Sequence, residues 1–211
     1  MIEVILCDDH ALIRRGIRDT LSEAVDMRVV GEAGEYGELR SLMRHTRCDV
    51  LVLDINLPGR SGLDALHALK DEVNPVKVLV VSMYPEDQYA IRALRGGAYG
   101  YVNKGGDPQL IVQAVRTVAQ GRKYVTPEIA QMLIESLTSP SAEQAHEKLS
   151  DRELQTLTLI ASGKRLSDIA TELTLSPKTV SVYRARVLQK LGLANNSELT
   201  VYAIRNGLVG Q

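Results

Sequence analysis

Four short apolar segments of this chain each lead to a polar residue, and that pattern constrains the fold more than any other feature. Residues 2–7 (Ile-Glu-Val-Ile-Leu-Cys) lead to Asp8 and Asp9, and residues 50–53 (Val-Leu-Val-Leu) lead to Asp54. Residues 77–81 (Lys-Val-Leu-Val-Val) lead to Ser82, and residues 99–102 (Tyr-Gly-Tyr-Val) lead towards Lys104. Runs rich in Val, Ile and Leu, separated by helical patterns, predict buried parallel strands. In an open parallel sheet, the crevice beyond the carboxyl ends of the strands is where ligands bind. Three carboxylates, a hydroxyl and an ammonium are therefore expected at one rim. One Asp at a strand end is commonly a helix cap, and one Lys a solvated surface group. In register across successive strands, the set points to a site.

The chemistry explains the residue types. Clustered Asp8, Asp9 and Asp54 repel one another unless a hard cation joins them, and Mg²⁺ prefers oxygen ligands while retaining several waters. Such a metal neutralises phosphoryl oxygens during in-line transfer. Asp54, followed by Ile-Asn-Leu-Pro-Gly where a strand gives way to a loop, is the expected nucleophile. Lys104 would pair with a phosphoryl oxygen as a point charge, and the Ser82 hydroxyl would donate to another.

Four pieces of sequence, Cys-Asp-Asp-His, Leu-Val-Leu-Asp54-Ile-Asn-Leu-Pro-Gly-Arg-Ser-Gly, Val-Ser82-Met and Gly-Tyr101-Val-Asn-Lys104, resemble a response-regulator receiver domain. The resemblance covers residues 2 to about 120. It implies that Asp54 accepts a phosphoryl group from a phosphohistidine on a partner sensor histidine kinase. It implies a Mg²⁺ site in which Asp9 and Asp54 are ligands, Asp8 acts largely through water, and Asn56 contributes its carbonyl. Ser82 and Tyr101 match the family's switch pair, in which the hydroxyl moves to the phosphoryl group and the ring turns inward. One departure is that Gly105-Gly106 follows Lys104, where many receivers have a proline.

A chain of 211 residues has room for one or two domains, and its apolar content is ordinary for a globular protein. No apolar run is long enough to span a bilayer, so no membrane role is expected. The N-terminal apolar stretch is short and runs into acid, unlike a signal peptide. Cys7 and Cys48 lack metal-site spacing and suit buried free thiols in a reducing cytoplasm. The net charge of −1 hides an asymmetry: residues 149–211 carry 8 basic and 5 acidic residues, and residues 176–190 carry 4 basic and none acidic. That imbalance suggests a polyanion partner for the C-terminal part, although exposed charge is usually only solvation.

The spacing divides the chain into a receiver over residues 1–122, a linker with a connecting helix over 123–148, and a helical domain over 149–211. Thr126-Pro127 reads as the N-cap and first position of the connecting helix, running to about residue 137. Residues 138–148 have little apolar content and read as a tether. Ser150-Asp-Arg-Glu153 fits a capping box, Leu154, Leu157 and Ile160 follow at helical spacing, and Gly163 ends that helix. Leu166, Ile169, Ala170 and Leu173 mark a short second helix, and Pro177 opens a third whose inward stripe is Val180, Tyr183, Val187 and Leu191. Two helices joined by a tight turn, the second one basic, form a helix-turn-helix arrangement.

Helical angles sort that third helix by role. Lys178, Ser181, Val182, Ala185 and Gln189 project outward, while Arg184, Arg186 and Lys190 lie on the flanks and are assigned to phosphates. Ser181, Val182 and Ala185 face base edges. With Thr179, these make the candidate DNA-contact set Lys178, Thr179, Ser181, Val182, Arg184, Ala185, Arg186 and Lys190. The alternative is a trihelical protein-interaction module. The stretch from Leu149-Ser-Asp-Arg-Glu-Leu to Gln-Lys-Leu-Gly192 looks like a LuxR-type output domain, a resemblance that extends to Gly207. Receiver plus such an output resembles the NarL/FixJ class of response regulators. Some members carry lysines at the positions of Ser181 and Ala185, and a histidine at Tyr183.

The expected architecture is therefore a doubly wound, flavodoxin-like five-stranded α/β receiver followed by a small all-α helix-turn-helix domain. The expected function is that of a cytoplasmic two-component regulator, phosphorylated on Asp54, that binds promoter DNA as a homodimer and meets RNA polymerase there. In such relatives the final helix, here residues 197–206, often mediates dimerisation; packing on its own domain is the alternative. No catalytic output is expected beyond self-promoted phosphorylation and slow dephosphorylation. A phosphate sink or phosphorelay intermediate is the rival reading, and a DNA-binding protein whose receiver works unphosphorylated is a third.

Overall fold

The computed structural model describes residues 1–70, 76–84, 86–138 and 145–209, with side chains throughout these except at 87, 88 and 136–138. Two compact units emerge, Met1–Ser139 and Pro140–Gln211.

The first unit alternates strands and helices: β1 (Ile2–Cys7), α1 (Ala11–Ser22), β2 (Met27–Ala33), α2 (Tyr36–Met43), β3 (Val50–Asp54), α3 (Gly62–Lys70), β4 (Lys77–Ser82), α4 (Glu86–Arg95), β5 (Gly100–Asn103) and α5 (Pro108–Ala119). All neighbouring strands pair in parallel, in the order β2-β1-β3-β4-β5. Val4, Leu6, Val50, Val52, Leu79, Val81 and Val102 lie on one face and share a core with Ile17 and Leu21 of α1 and Ile111, Val112 and Val115 of α5. The alternate residues Ile5, Leu51, Leu53, Val80 and Tyr101 are also buried. Both faces are thus covered, which is why these strands read as continuous apolar runs. Each fully buried aliphatic side chain contributes roughly 1.5–3 kcal/mol.

β1, β3, β4 and β5 end where the chain passes from this apolar slab to polar residues at the rim. The strand over residues 99–102 is shifted by one, to Gly100–Asn103. Its outer edge is met by Tyr124, which forms an isolated parallel bridge with Gly100 and donates its N–H to the Tyr99 carbonyl at 2.8 Å. Gly100 is required there, because a Cβ would stand 2.9 Å from the Tyr124 carbonyl oxygen. The connecting helix α6 (Pro127–Thr138) follows, with the Thr126 hydroxyl accepting from the Ile129 N–H at 3.3 Å, and packs against α4. Cys7 is buried and Cys48 half-buried, both free thiols; burial pushes the Cys7 thiol up to about 12 and the Cys48 thiol to about 11.

The expected tether over residues 138–148 falls partly outside the described residues, at 139–144; Thr138 ends α6, and Ala145–Lys148 forms a 3-10 turn. The second unit is then helical: α7 (Asp151–Ala161), α8 (Leu166–Glu172), α9 (Pro177–Leu191) and α10 (Asn196–Arg205). The capping box at Ser150 and Glu153 forms reciprocally, satisfying two otherwise orphaned N–H groups. Leu157, Ile169, Val180, Val187, Leu199 and Ala203 are buried, with α7 packing on α9 and α10 and α8 on α9. Val180 and Val187 of the expected inward stripe are fully buried, while Tyr183 and Leu191 are half-buried.

The turn between α8 and α9 closes as a Schellman motif. Leu175 N–H reaches the Ala170 carbonyl at 2.8 Å, and Thr174 N–H reaches the Thr171 carbonyl at 3.2 Å. Thr174 takes the left-handed position at φ 52°, where glycine is the usual occupant, so a β-branched side chain sits in a strained conformation. Ser176 then caps α9 by accepting from the Thr179 N–H at 3.1 Å, Pro177 supplies the first helical residue, and Gly192 ends the helix at φ 67°.

Candidate functional site

Register brings the acidic residues together. Cys7 pairs with Leu53 across β1 and β3, so the next residue of each chain segment, Asp8 and Asp54, emerges at the same end of adjacent strands. On the other side, Asp54 pairs with Val81, and Ser82 with Asn103, which puts Ser82 and Lys104 at the same rim. Lys104 reaches back between the carboxylates, with Nζ 2.7 Å from Asp8 Oδ2 and 2.8 Å from Asp54 Oδ2; all three side chains are only 3% exposed.

One ammonium cannot neutralise this set. Burial pushes the Asp54 carboxyl above the usual carboxylate range; Lys104 opposes that rise and the neighbouring Asp8 carboxylate adds to it. Asp9 is 19% exposed, with Oδ1 2.5 Å from His10 Nδ1. One potential ligand atom each from Asp8, Asp9, His10 and Asp54 falls within a 4.8 Å cluster. Three carboxylates against one ammonium leave excess negative charge in a hard-oxygen environment, which fits a divalent cation such as Mg²⁺. The Asn56 backbone hydrogen-bonds the Asp54 carboxylate.

The loop geometry holds these groups still. His10 N–H donates to Asp8 Oδ1 at 2.9 Å, and Arg14 Nη1 donates to the Asp8 carbonyl while its Nε pairs with Glu32 Oε2 at 3.1 Å. After Asp54, the chain turns sharply enough that Gly62 N–H reaches the Ile55 carbonyl at 2.8 Å. A Cβ on Gly62 would fall 1.9 Å from the Asp54 carbonyl oxygen, so only glycine fits. The buried Ser61 Oγ accepts from the N–H groups of Leu63 at 3.2 Å and Asp64 at 3.5 Å, capping the first turn of α3. His10, Arg14, Ser61 and Gly62 carried no assigned role in the sequence. Gly62 and Ser61 were visible in the Asp54 motif, whereas the reach of Arg14 depends on tertiary structure.

Ser82 and Tyr101 are both buried. Ser82 Oγ accepts from the Tyr84 N–H at 3.1 Å, and the Tyr101 phenol donates to the Tyr84 carbonyl at 2.7 Å. The Tyr101 ring is therefore turned inward, and burial pushes its phenol above the usual range. Lys104 N–H donates to the Ser82 carbonyl at 2.8 Å, tying the cation's main chain to the hydroxyl's strand.

The second unit presents α9. Lys178, Ser181, Ala185, Arg186 and Lys190 are exposed, Val182 is 43% exposed, and Thr179 and Arg184 are half-buried. Lys178 and Arg186 have no ion-pair partner among the described residues. Arg184 Nε donates to Asn196 Oδ1 at 2.5 Å, and Ser181 Oγ donates back to the Pro177 carbonyl at 3.0 Å. Lys190 differs from the other cations, with its Nζ 2.6 Å from Glu153 Oε2 and its side chain 42% exposed. Burial of Glu153 opposes its ionisation, but the bonds from Lys190 and Ser150 outweigh that and hold its carboxyl below the usual range. Lys190 thus has a structural partner that no helical-wheel angle reveals.

A buried Asp-Lys-Asp arrangement at the rim of a 2-1-3-4-5 parallel sheet, joined to a helix-turn-helix unit, defines a receiver linked to a DNA-binding output domain. Comparison with known proteins agrees over the whole chain. The response regulator receiver domain family matches residues 4–116, and the family of bacterial regulatory proteins of the luxR type matches residues 147–203. Response regulator UvrY of Escherichia coli (strain K12) is 38% identical over 209 residues, covering 99% of this chain and 96% of that protein. Response regulator GacA of Pseudomonas aeruginosa is 37% identical over 210 residues, covering 99% and 98%. Among solved structures, RcsB from Salmonella enterica serovar Typhimurium, bound to promoter rprA in the presence of phosphomimetic BeF3-, matches with a TM-score of 0.62 at 27% identity, covering 96% and 98%. A LuxR-family two-component response regulator from Aurantimonas sp. SI85-9A1 matches with a TM-score of 0.61 at 33% identity, covering 66% of this chain and 99% of that one. The chain belongs to the NarL/FixJ class of response regulators, with an N-terminal receiver and a LuxR-type DNA-binding domain. No helix among the described residues is long and apolar enough to cross a membrane.

Proposed function

We propose that Asp54 is the phosphoacceptor of a cytoplasmic two-component regulator. A carboxylate oxygen of Asp54 attacks the phosphorus of a phosphohistidine on a sensor histidine kinase. The new P–O bond forms as the P–N bond breaks, and the departing imidazole keeps the electron pair. Asp8, Asp9 and Asp54, with the Asn56 carbonyl, would hold Mg²⁺, which supplies charge neutralisation for the phosphoryl oxygens when bound. Lys104 lies between Asp8 and Asp54, close enough to meet a phosphoryl oxygen on Asp54 with a charge-assisted hydrogen bond. The Ser82 hydroxyl accepts from the Tyr84 N–H and hydrogen-bonds the Tyr101 phenol, and its one proton would be redirected to the phosphoryl group. Its turn towards the phosphoryl group would fix the inward Tyr101 and bias the receiver towards a form that dimerises on DNA.

The observation that carries this reading is the Asp8–Lys104–Asp54 triad, buried at the sheet rim and short of positive charge. The receiver is taken as residues 1–122, the linker as 123–148 and the output as 149–211. In the output, Lys178, Arg184, Arg186 and Lys190 would meet promoter phosphates, while Thr179, Ser181, Val182 and Ala185 would face the bases. Two copies would bind symmetric half-sites about one helical turn apart and engage RNA polymerase. Incubation with a small acyl phosphate should label wild type in a Mg²⁺-dependent way and leave Asp54→Asn unlabelled. Label mapping to another residue in that variant would refute the assignment. A phosphate sink or relay intermediate needs no groove-reading helix, so the exposed cations of α9 favour the gene regulator.

A further inference from the structure

β5 ends in Asn103, a half-buried amide after three buried residues and immediately before Lys104. Its side chain bonds in two directions. Nδ2 donates to the Tyr84 carbonyl at 3.0 Å, in the connection between β4 and α4. Oδ1 accepts from the Gly105 N–H at 2.7 Å, in the loop that follows Lys104. One side chain therefore joins the segment that engages Ser82 and Tyr101 to the segment that carries the buried cation.

Each bond answers a local need. Lys104 is followed by two glycines, the residues with the most backbone freedom, yet its Nζ must stay between two carboxylates. The bond from Gly105 N–H to Asn103 Oδ1 closes a local turn of the kind asparagine makes with the backbone two residues on. The turn is tight, since a Cβ on Gly105 would stand 3.1 Å from that same oxygen. At the other end, a carbonyl has two acceptor lone pairs, and Tyr84 offers one each to the Tyr101 phenol and the Asn103 amide. Movement of the Tyr84 segment would release both donors together.

We propose that Asn103 is a positioning residue that couples the Lys104 loop to the inward setting of Tyr101, so that the cation and the aromatic latch respond to the phosphoryl group as one unit. The proposal rests on Asp54 as phosphoacceptor. It predicts that a change felt at Lys104 reaches Tyr101 through one amide side chain rather than through the sheet alone.

The test uses the full-length protein with isotopically labelled tyrosine rings and backbone amides, first without any phosphodonor. Asn103→Ala should speed exchange of the Gly105 amide by roughly fivefold, the change one neutral hydrogen bond supports, and shift the Tyr101 ring signal towards a mixture of orientations. Asn103→Ser keeps a short acceptor for Gly105 but cannot reach Tyr84, so it should restore the amide protection and leave the ring signal altered. With a small acyl phosphate and Mg²⁺, Asn103→Ala should still be labelled on Asp54 but show a smaller phosphorylation-dependent change at Tyr101 than wild type. Wild-type Gly105 exchange and Tyr101 signal in Asn103→Ala would overturn the proposal. Those two readings need no phosphate, so they separate its failure from failure of the Asp54 assignment, which absence of label on wild type would reveal.

Discussion

The rim of the sheet and the face of α9 hold charge in opposite ways. At the rim, Asp8, Asp54 and Lys104 are almost wholly buried and lie within 3 Å of an opposite charge. On α9, Lys178, Arg186 and Lys190 stand in solvent, and only Lys190 is tied down. A buried ion is tolerated only with partners and close geometry, whereas an exposed one costs almost nothing. The pocket is consequently an interlocked unit in which each substitution disturbs the rest. The helix is a set of separable contributions awaiting a polyanion.

The sharpest way to break this contrast is to remove the pocket's cation. Lys104→Ala strands two buried carboxylates and should destabilise the receiver by about 3–5 kcal/mol in metal-free urea unfolding. Millimolar Mg²⁺ should recover part of the loss by binding the native state. A loss below about 1 kcal/mol would mean that the triad is not the interlocked unit described.

Gly62→Ala probes the same region through shape. Its Cβ would overlap the Asp54 carbonyl, so the loop has to move, at a cost of about 3 kcal/mol. The midpoint of denaturant unfolding checks this, and a wild-type midpoint would show that the loop has slack.

On α9 the expected effects are smaller and divide by partner. Arg186→Ala should weaken binding about equally on all duplexes and reduce the salt slope by roughly 0.9 per lost phosphate contact. Lys190→Ala should in addition cost the fold about 1 kcal/mol, because it releases Glu153. The Glu153 carboxyl is held below its usual range, so its contribution is present above the ordinary carboxylate range and lost as pH falls through the depressed value. Arg186→Ala should leave that acid limb unchanged, and thermal unfolding across acidic pH distinguishes the two. Equal stability profiles for both variants would remove the distinction drawn between them.

An effect of similar size lies in the turn that aims α9. Thr174→Gly removes a left-handed β-branched residue and should stabilise the output domain by about 1 kcal/mol. If the melting temperature falls instead, the threonine side chain holds the turn in a way its backbone angle does not reveal.

The same contrast explains what the sequence disclosed. Four strands were readable because both faces of a parallel sheet are buried and leave unbroken apolar runs leading to polar residues. β2 was not singled out: Met27–Ala33 is an edge strand with Arg28, Gly31 and Glu32 within it, and its pairing with β1 slips at Val4 and Ile5. The helix cap at Ser150 and the helix start at Pro177 were legible because both signals are local. The grip of Lys190 on Glu153, and of Asn103 on Tyr84, joins residues 37 and 19 positions apart, so neither follows from spacing along one element. Thr174 in a left-handed setting was hidden for another reason: its residue type argues against the conformation it adopts.

The central claim is that phosphoryl chemistry at the buried rim controls the exposed helix. The most direct measurement is a salt-series titration of the full chain on specific and random duplexes, with and without a small acyl phosphate, for wild type and Asp54→Asn. Wild type should gain affinity for the specific duplex on phosphorylation, with binding that falls linearly in log–log against salt, and Asp54→Asn should show no such gain. A phosphorylated wild type without salt-dependent affinity for any duplex, or an Asp54→Asn variant that gains affinity as wild type does, would contradict the account.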